Sequence, residues 1–307
     1  MIEARGLSRS FDGQPAVSDL SFLVPPGALC ALLGPNGAGK TTTIRMLLGL
    51  LPPSSGNAIV SGVSLPGTDA EGARLRARAG LLTESPGFYD RMNGWENLIL
   101  FGSLYGLERG VLRTRAKHWL ERLELWEAKD RPFGTWSKGM KQRLALIRAV
   151  LHEPTVIFLD EPTAGLDPAG AREVRDLISD LKREGRTILL STHNLAEAES
   201  LADLIGIIRQ RLLAFGSPAS LVAAPPRIEI RLAGPAAPFI DALRRLPGVL
   251  GSLADGARLD VTVDDPARDT PLVVKELVSG GAAVLAVRPL APTLEEVYLR
   301  AVRGHDA

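Results

Sequence analysis

The stretch Gly34-Pro35-Asn36-Gly37-Ala38-Gly39-Lys40-Thr41 packs three glycines, a lysine and a hydroxyl into one short segment. Glycines let the backbone curl until successive N–H groups point at a single anion, and a helix start adds partial positive charge. The lysine contributes a full charge and the threonine a hard oxygen ligand. Their spacing, G-x-x-x-x-G-K-[ST], suits a polyphosphate with its divalent cation. The flanks agree. Ala28-Leu29-Cys30-Ala31-Leu32-Leu33 reads as a buried strand, and Thr42-Thr43-Ile44-Arg45-Met46-Leu47-Leu48 as a helix. Residues Gly34 through Thr42 are thus expected to hold a nucleoside triphosphate. Lys40 would reach its β- and γ-phosphates, and the Thr41 hydroxyl would ligate Mg²⁺.

A second acidic element follows an apolar run, Val156-Ile157-Phe158-Leu159-Asp160-Glu161. A carboxylate at the end of a buried strand can sit beside the phosphate loop and hold Mg²⁺ through water, the role expected of Asp160. Glu161 is then the candidate general base that orients or activates an attacking water.

Between these elements lies Ser137-Lys138-Gly139-Met140-Lys141-Gln142. It resembles the signature motif of ATP-binding cassette (ABC) ATPases, usually Leu-Ser-Gly-Gly-Gln. The resemblance implies that this segment opens a helix binding the γ-phosphate held by an opposite subunit, so that hydrolysis needs two cassettes face to face. Ala164-Gly165-Leu166-Asp167 looks like the family's D-loop, which contacts the partner across that dimer. His193, after the strand Thr187-Ile188-Leu189-Leu190, matches the switch histidine that hydrogen-bonds the γ-phosphate. Phe11 stands where the family places an aromatic stacked on adenine, a core role being its other reading. His118, His152 and His305 read as structural.

The chain departs from the pattern twice. Ser137 and Gly139 keep the hydroxyl and the close backbone approach, but Lys138 replaces a glycine and places charge near the γ-phosphate or toward solvent. Trp136 replaces an aliphatic residue and is expected to pack under the helix start. Glu84, in Gly80-Leu81-Leu82-Thr83-Glu84, stands where the family carries a Mg²⁺-ligating glutamine. A carboxylate can still ligate Mg²⁺, yet it adds negative charge beside a triphosphate, and slow hydrolysis is the alternative consequence.

With 307 residues the chain has room for two domains, and its 36 basic and 35 acidic residues give no field favouring nucleic acid or anionic lipid. The single cysteine, Cys30, falls in the apolar strand and is expected to behave as a core residue in a reducing compartment. The start of the chain does not read as a signal peptide, and no apolar run reaches the roughly 18 residues needed to span a bilayer. A membrane path would have to come from another chain.

The expected fold class is α/β. Residues 1–25 read as the antiparallel β subdomain, alternating strands and helices follow from residue 28, and residues about 94–125 read as the helical subdomain carrying the signature. In the resemblance, the surface around Phe88 and Tyr89 grips a membrane partner, core packing being the other reading. The cassette is expected to occupy 1–220. Residues 221–307 read as a C-terminal accessory α+β domain, its elements being strand 227–232, helix 238–246, strands 249–253 and 258–263, helix 270–279, strand 283–289 and helix 293–302. That order, βαββαβ with a final helix, suggests a ferredoxin-like arrangement with a dimerisation or regulatory role.

The resemblance implies an ATPase using ATP and Mg²⁺, dimerising with a second copy and driving a separate transmembrane permease from the cytoplasmic side of the membrane. The signature variant and the C-terminal extension resemble ABC-2 type drug exporters of the daunorubicin-resistance type. The alternative is a soluble cassette acting on ribosomes or nucleic acid. The substitution at position 84 yields a test. Glu84→Gln is expected to stay active and to need no more Mg²⁺ than the wild type in a Mg²⁺ titration of ATPase rate. An inactive variant would show that the two side chains are not interchangeable as ligands.

Overall fold

The structure, a computed structural model, describes residues 1–83, 87–223, 225–290 and 293–303. Glu84 and His305 lie outside the described residues. Two compact units divide the chain, Met1–Pro218 and Ala219–Arg303.

The first unit runs β1 (Ile2–Phe11), β2 (Gln14–Val24), β3 (Leu29–Leu33), α1 (Lys40–Leu47), β4 (Ser55–Val60), β5 (Val63–Leu65), α2 (Asp69–Arg76), β6 (Ala79–Leu82), α3 (Gly94–Leu104) and α4 (Arg109–Arg122). It continues through α5 (Lys138–Val150), β7 (Val156–Asp160), α6 (Pro168–Arg183), β8 (Thr187–Thr192), α7 (Leu195–Leu201), β9 (Leu204–Arg209) and β10 (Arg211–Gly216). A single turn, α8 (Pro218–Leu221), follows.

Two sheets build this unit. The antiparallel one, in the order β2-β1-β4-β5, starts with a hairpin whose turn residues Asp12 and Gly13 have φ of 48° and 79°. Positive φ at both positions matches the twist of the flanking strands, which is why Asp-Gly closes them. The other sheet is ordered β10-β9-β3-β8-β7-β6, with β9, β3, β8, β7 and β6 mutually parallel and β10 antiparallel at the edge. All residues of β3, β7 and β8 are buried. Helices cover both faces of such strands, so their sequences are continuously apolar rather than alternating.

Register decides where the chemistry collects. Leu33 of β3 pairs with Thr192 of β8, and Asp160 of β7 pairs with Ser191. Three parallel strands therefore end level, and the loops after them open at one rim, the usual place for a ligand in such sheets.

The helical segment comprises α3 and α4, with Leu98 and Leu123 buried. Trp136 is also buried, donating its ring N–H to the Arg131 carbonyl at 3.2 Å and packing so tightly on Gly94 that a methyl group there would collide with it. Phe88 packs against Phe101 and Phe133, centroids 5.4 and 4.8 Å away, with the Arg148 guanidinium over its ring. Tyr89 is 57% exposed, so of the two aromatics only it is turned mainly to solvent.

The second unit contains β11 (Arg227–Leu232), α9 (Ile240–Leu243), β12 (Val249–Asp255), β13 (Arg258–Val263), α10 (Pro266–Ser279), β14 (Val284–Leu290) and α11 (Leu294–Arg303). Its sheet is antiparallel in the order β12-β13-β11-β14. Ile228, Ile230, Leu259, Val261 and Val263 form one apolar face against Leu243, Val273 and Leu277. The helix expected over 238–246 is reduced to a 3₁₀ turn (Ala237–Phe239) and the single turn α9. After Leu243 the α-helical bonds give way to tighter turns, the Arg245 N–H donating to the Ala242 carbonyl and the Leu246 N–H to the Leu243 carbonyl, ahead of Pro247-Gly248. Conversely, α10 starts a turn before the expected residue 270. Asp265 caps it by accepting from the backbone N–H groups of Ala267 and Arg268, and Pro266 fits the first helical position.

His152 illustrates what burial does here. Its ring stacks on Tyr105, centroids 3.8 Å apart, and Nε2–H donates to the Ala79 carbonyl at 3.2 Å. Nδ1 is buried without a hydrogen-bond partner. Burial pushes the imidazole pKa down to about 4, with the charges of Arg115 and Arg186 pushing the same way. The unfolded chain takes up this proton near the usual value of about 6.5, before the folded chain does, so stability is lost as pH falls from about 6.5 toward 4. Urea midpoints of the wild type and His152→Phe, measured from pH 7.5 to 5, are expected to converge because the wild type loses more. Parallel curves would show that His152 stays neutral in neither state preferentially.

Candidate functional site

A cavity of about 620 Å³ opens at the rim where β3, β7 and β8 end. Phe11, Ala16, Pro35, Asn36, Gly37, Ala38, Gly39, Lys40, Thr41, Thr42, Glu161, Ala164 and His193 line it. Gly34 and Asp160 stand directly behind, bonded to Lys40 and Thr41. Sequence positions far apart thus converge on one polar opening.

The loop between β3 and α1 owes its shape to backbone that only glycine tolerates. Gly39, at φ 96°, precedes α1, and a Cβ there would lie 2.5 Å from the Ala16 carbonyl oxygen. At Gly34 a Cβ would meet the Ile208 carbonyl oxygen at 2.3 Å. The turn therefore brings the first N–H groups of α1 to the cavity wall, a ready anion cradle.

Lys40 is nearly buried, and its Nζ donates to the carbonyls of Gly34 at 2.7 Å and Pro35 at 3.2 Å. Glu161 Oε1 lies 3.2 Å from the same ammonium. That oxygen is buried and makes no hydrogen bond, so its contact with Lys40 is ionic only. The other carboxylate oxygen, Oε2, is 2.8 Å from His193 Nδ1. Glu161 itself has φ 50°, a left-handed conformation that a non-glycine residue adopts only where its surroundings enforce it. Ser191 enforces it here, its carbonyl and its hydroxyl oxygen both accepting from the Glu161 N–H at 3.1 Å.

Asp160 is buried and accepts from two hydroxyls, Thr41 on Oδ2 at 2.8 Å and Ser191 on Oδ1 at 2.5 Å. The Thr41–Asp160 pair offers a hydroxyl and a carboxylate beside the anion cradle, the few hard-oxygen ligands that Mg²⁺ accepts alongside phosphate and water. Among the described residues no group of three or more His, Cys, Asp or Glu side chains is arranged to hold a metal by itself. A polyphosphate fits the same place: open volume, convergent N–H groups, and a lysine whose partners within the loop can be exchanged for phosphate oxygens.

Phe11 is 44% exposed at the mouth of the cavity, with the Arg9 guanidinium 4.9 Å from its ring centroid. Ser137, Lys138, Gly139, Met140 and Asp167 are not among the described residues that line the cavity. Ser137 is the N-cap of α5, its hydroxyl accepting from the Met140 N–H at 3.2 Å. Lys138 reaches over Gly165, within 2.0 Å of where a Cβ would sit. Asp167 is exposed at the start of α6 and makes no side-chain cap bond. The expected residues therefore fall into two groups, one around the cavity and one on the segments that open α5 and α6.

Sequence reading missed three supporting residues. Ser191 holds both Asp160 and Glu161. Gln142, buried, donates to the Pro162 carbonyl at 2.9 Å and ties α5 to the loop after β7. Glu197, buried in α7, accepts from Thr163 and Thr192. An N-capping residue followed three positions later by glutamate, Asn194 and Glu197, marks one of them in the sequence, and Gln142 closes the stretch that resembles the signature motif.

Comparison with known proteins agrees with this arrangement. A family profile described as "ABC transporter" matches residues 17–164. The linearmycin resistance ATP-binding protein of Bacillus subtilis (strain 168) is 31% identical over 307 residues, covering 97% of each chain. The daunorubicin/doxorubicin resistance ATP-binding protein of Streptomyces peucetius is 35% identical over 315 residues, covering 100% of this chain and 93% of that one. A solved structure titled as the ATP binding subunit of an ABC transporter superposes with a TM-score of 0.66 at 33% identity, covering 72% of this chain and 91% of its own. The chain belongs to the ABC transporter family, as an ATP-binding, ATP-hydrolysing subunit akin to those of drug exporters.

Proposed function

We propose that this chain is the motor subunit of an ABC-2 type exporter, in which two copies enclose two ATP molecules and drive a separate transmembrane permease. The observation that carries the reading is the division of the motif residues. Phosphate-loop, base and histidine residues surround one cavity, while Ser137 and Asp167 stand apart from it. A site completed by a second copy accounts for both groups.

Each composite site would use Lys40, Thr41, Asp160, Glu161 and His193 of one copy with Ser137, Lys138, Gly139 and Met140 of the other. The N–H groups opening α5, with the Ser137 hydroxyl, would meet the γ-phosphate from the far side. Lys40 would exchange its loop carbonyls for β- and γ-phosphate oxygens, and Phe11, backed by Arg9, would stack its open face on adenine. Thr41 and Asp160 are the residues that would hold Mg²⁺, which when bound supplies charge against the phosphate oxygens. Glu161 would take a proton from the attacking water as its oxygen bonds to the γ-phosphorus and the bond to the β–γ bridging oxygen breaks, releasing ADP and phosphate. His193, in contact with Glu161, would fix base and γ-phosphate together. Asp167 would face the partner copy. Closing the dimer on ATP and reopening it after hydrolysis is the mechanical step.

Glu84 would complete the Mg²⁺ surroundings and pass the nucleotide state to the permease. Residues 221–307 would form an accessory ferredoxin-like domain with a dimerisation or regulatory role beside the 1–220 cassette. Among the described residues no helix is long and apolar enough to cross a membrane. On this reading the subunit would work as a peripheral protein on the cytoplasmic face of the membrane, in a homodimer, without nucleic acid.

Tagged protein purified from detergent-solubilised native membranes is expected to bring a polytopic membrane protein in stoichiometric amount, with ATPase activity higher in the complex. Recovery of ribosomes or nucleic acid instead would overturn the exporter reading in favour of a soluble cassette.

A further inference from the structure

Among the described residues outside the sequence motifs, the first unit buries one carboxylate that spans two loops. Glu197 is 2% exposed, on α7. Its Oε1 accepts from the Thr163 hydroxyl at 2.9 Å and its Oε2 from the Thr192 hydroxyl at 2.5 Å. Thr163 lies two residues after Glu161, on the segment leading to Asp167. Thr192 directly precedes His193. One side chain thus fastens the segments carrying Glu161 and His193 to each other, close to the point where those two touch at 2.8 Å.

The carboxylate is not engaged in capping α7. That task falls to Asn194, whose Oδ1 accepts from the Glu197 N–H at 3.2 Å, while the Asn194 N–H goes to the Thr192 hydroxyl oxygen at 3.0 Å. Burial pushes the Glu197 carboxyl above its ordinary range, the two threonine hydroxyls pull it back, and the nearby Glu161 charge pushes it up again. A packed apolar side chain would avoid that desolvation. It would also leave the buried Thr192 hydroxyl and the half-buried Thr163 hydroxyl without their acceptor, and remove the side-chain link between the two loops that lies beyond the Glu161 N–H bonds to Ser191. The loop after β7 has a second tether on its other side, Gln142 to the Pro162 carbonyl, so removing Glu197 releases its link to the histidine segment in particular.

We infer that Glu197 is a positioning residue for ATP hydrolysis, a brace that keeps Glu161 and His193 in register and joins them to the Asp167 segment. This rests on the assignment of Glu161 and His193 given above. Because the brace contacts neither the phosphate loop nor Phe11, it acts on turnover and leaves nucleotide binding alone.

The test compares full-length wild type, Glu197→Gln, Thr163→Val, Thr163→Ser, the double variant Glu197→Gln/Thr163→Val, and Glu161→Gln. Each is assayed for kcat and KM with MgATP, for binding of a fluorescent ATP analogue and for thermal midpoint. Misplacing a catalytic pair by a fraction of its contact distance is expected to lower kcat of Glu197→Gln about 10- to 100-fold. Loss confined to the transition state leaves KM and analogue affinity within about threefold of wild type. Thr163→Val is expected to follow Glu197→Gln, and Thr163→Ser, which keeps the hydroxyl, to retain most of the turnover. The double variant should be no slower than the slower single one, as for residues acting through one contact. Wild-type kcat in Glu197→Gln overturns the inference. So does a loss that adds in the double variant and is matched by equal losses of analogue affinity and thermal midpoint. Should Glu161→Gln turn over at the wild-type rate, the assignment of the base falls and the brace falls with it. Arrest in Glu161→Gln with full activity in Glu197→Gln removes the brace alone.

Discussion

The carboxylate of Asp160 is the point on which the site depends. It is buried at the end of β7 and divides its two oxygens between Thr41, on the phosphate-loop helix, and Ser191, on the neighbouring strand β8. Ser191 in turn holds the Glu161 N–H and so stabilises the left-handed backbone that aims the Glu161 side chain at Lys40 and His193. The parallel register that sets Asp160 beside Ser191 therefore determines more than sheet packing. A one-residue slip of β7 would send this carboxylate to the opposite face of the sheet and separate it from Thr41 and the anion cradle.

The resting site is poised rather than slack. Lys40 is nearly buried, and a charge so placed is tolerable only because two loop carbonyls and the Glu161 carboxylate surround it. The same contacts engage the Glu161 carboxylate, so phosphate oxygens competing for the ammonium would also free that carboxylate. In the proposed mechanism, binding ATP would change two things through one side chain: the lysine would gain phosphate partners, and the glutamate would lose its ion-pair partner. On that proposal, arrival of substrate and release of the base would be a single electrostatic event.

Much of this was legible in the sequence, and the reasons differ by element. The phosphate loop announces itself because the φ angles of Gly37 and Gly39 and the charge of Lys40 can be met by few residue types. Strands β3, β7 and β8 were visible as continuous apolar runs, and the C-terminal βαββαβ order followed from alternation. Residues such as Ser191, Gln142 and Glu197 gave weaker signals, since their roles exist only once β7, β8 and α5 are brought side by side. Asn194 and Glu197 show the pattern of a helix cap, but the fold uses the glutamate to cross to Thr163 instead. The helix expected over 238–246 was overestimated because its apolar spacing continues up to Pro247-Gly248, whereas the chain leaves helical geometry after Leu243.

The central claim is that each site is assembled from two chains, and complementation between two inactive chains tests it most directly. Lys40→Ala disables the cavity while leaving Ser137 intact; Ser137→Arg blocks the α5 opening while leaving Lys40 intact. In a mixed dimer, one of the two sites would combine the intact Lys40 of one chain with the intact Ser137 of the other. The account predicts that mixing the two variants restores ATP turnover above that of either alone. A mixture as inactive as its components would contradict it, showing that Lys40 and Ser137 must belong to the same chain.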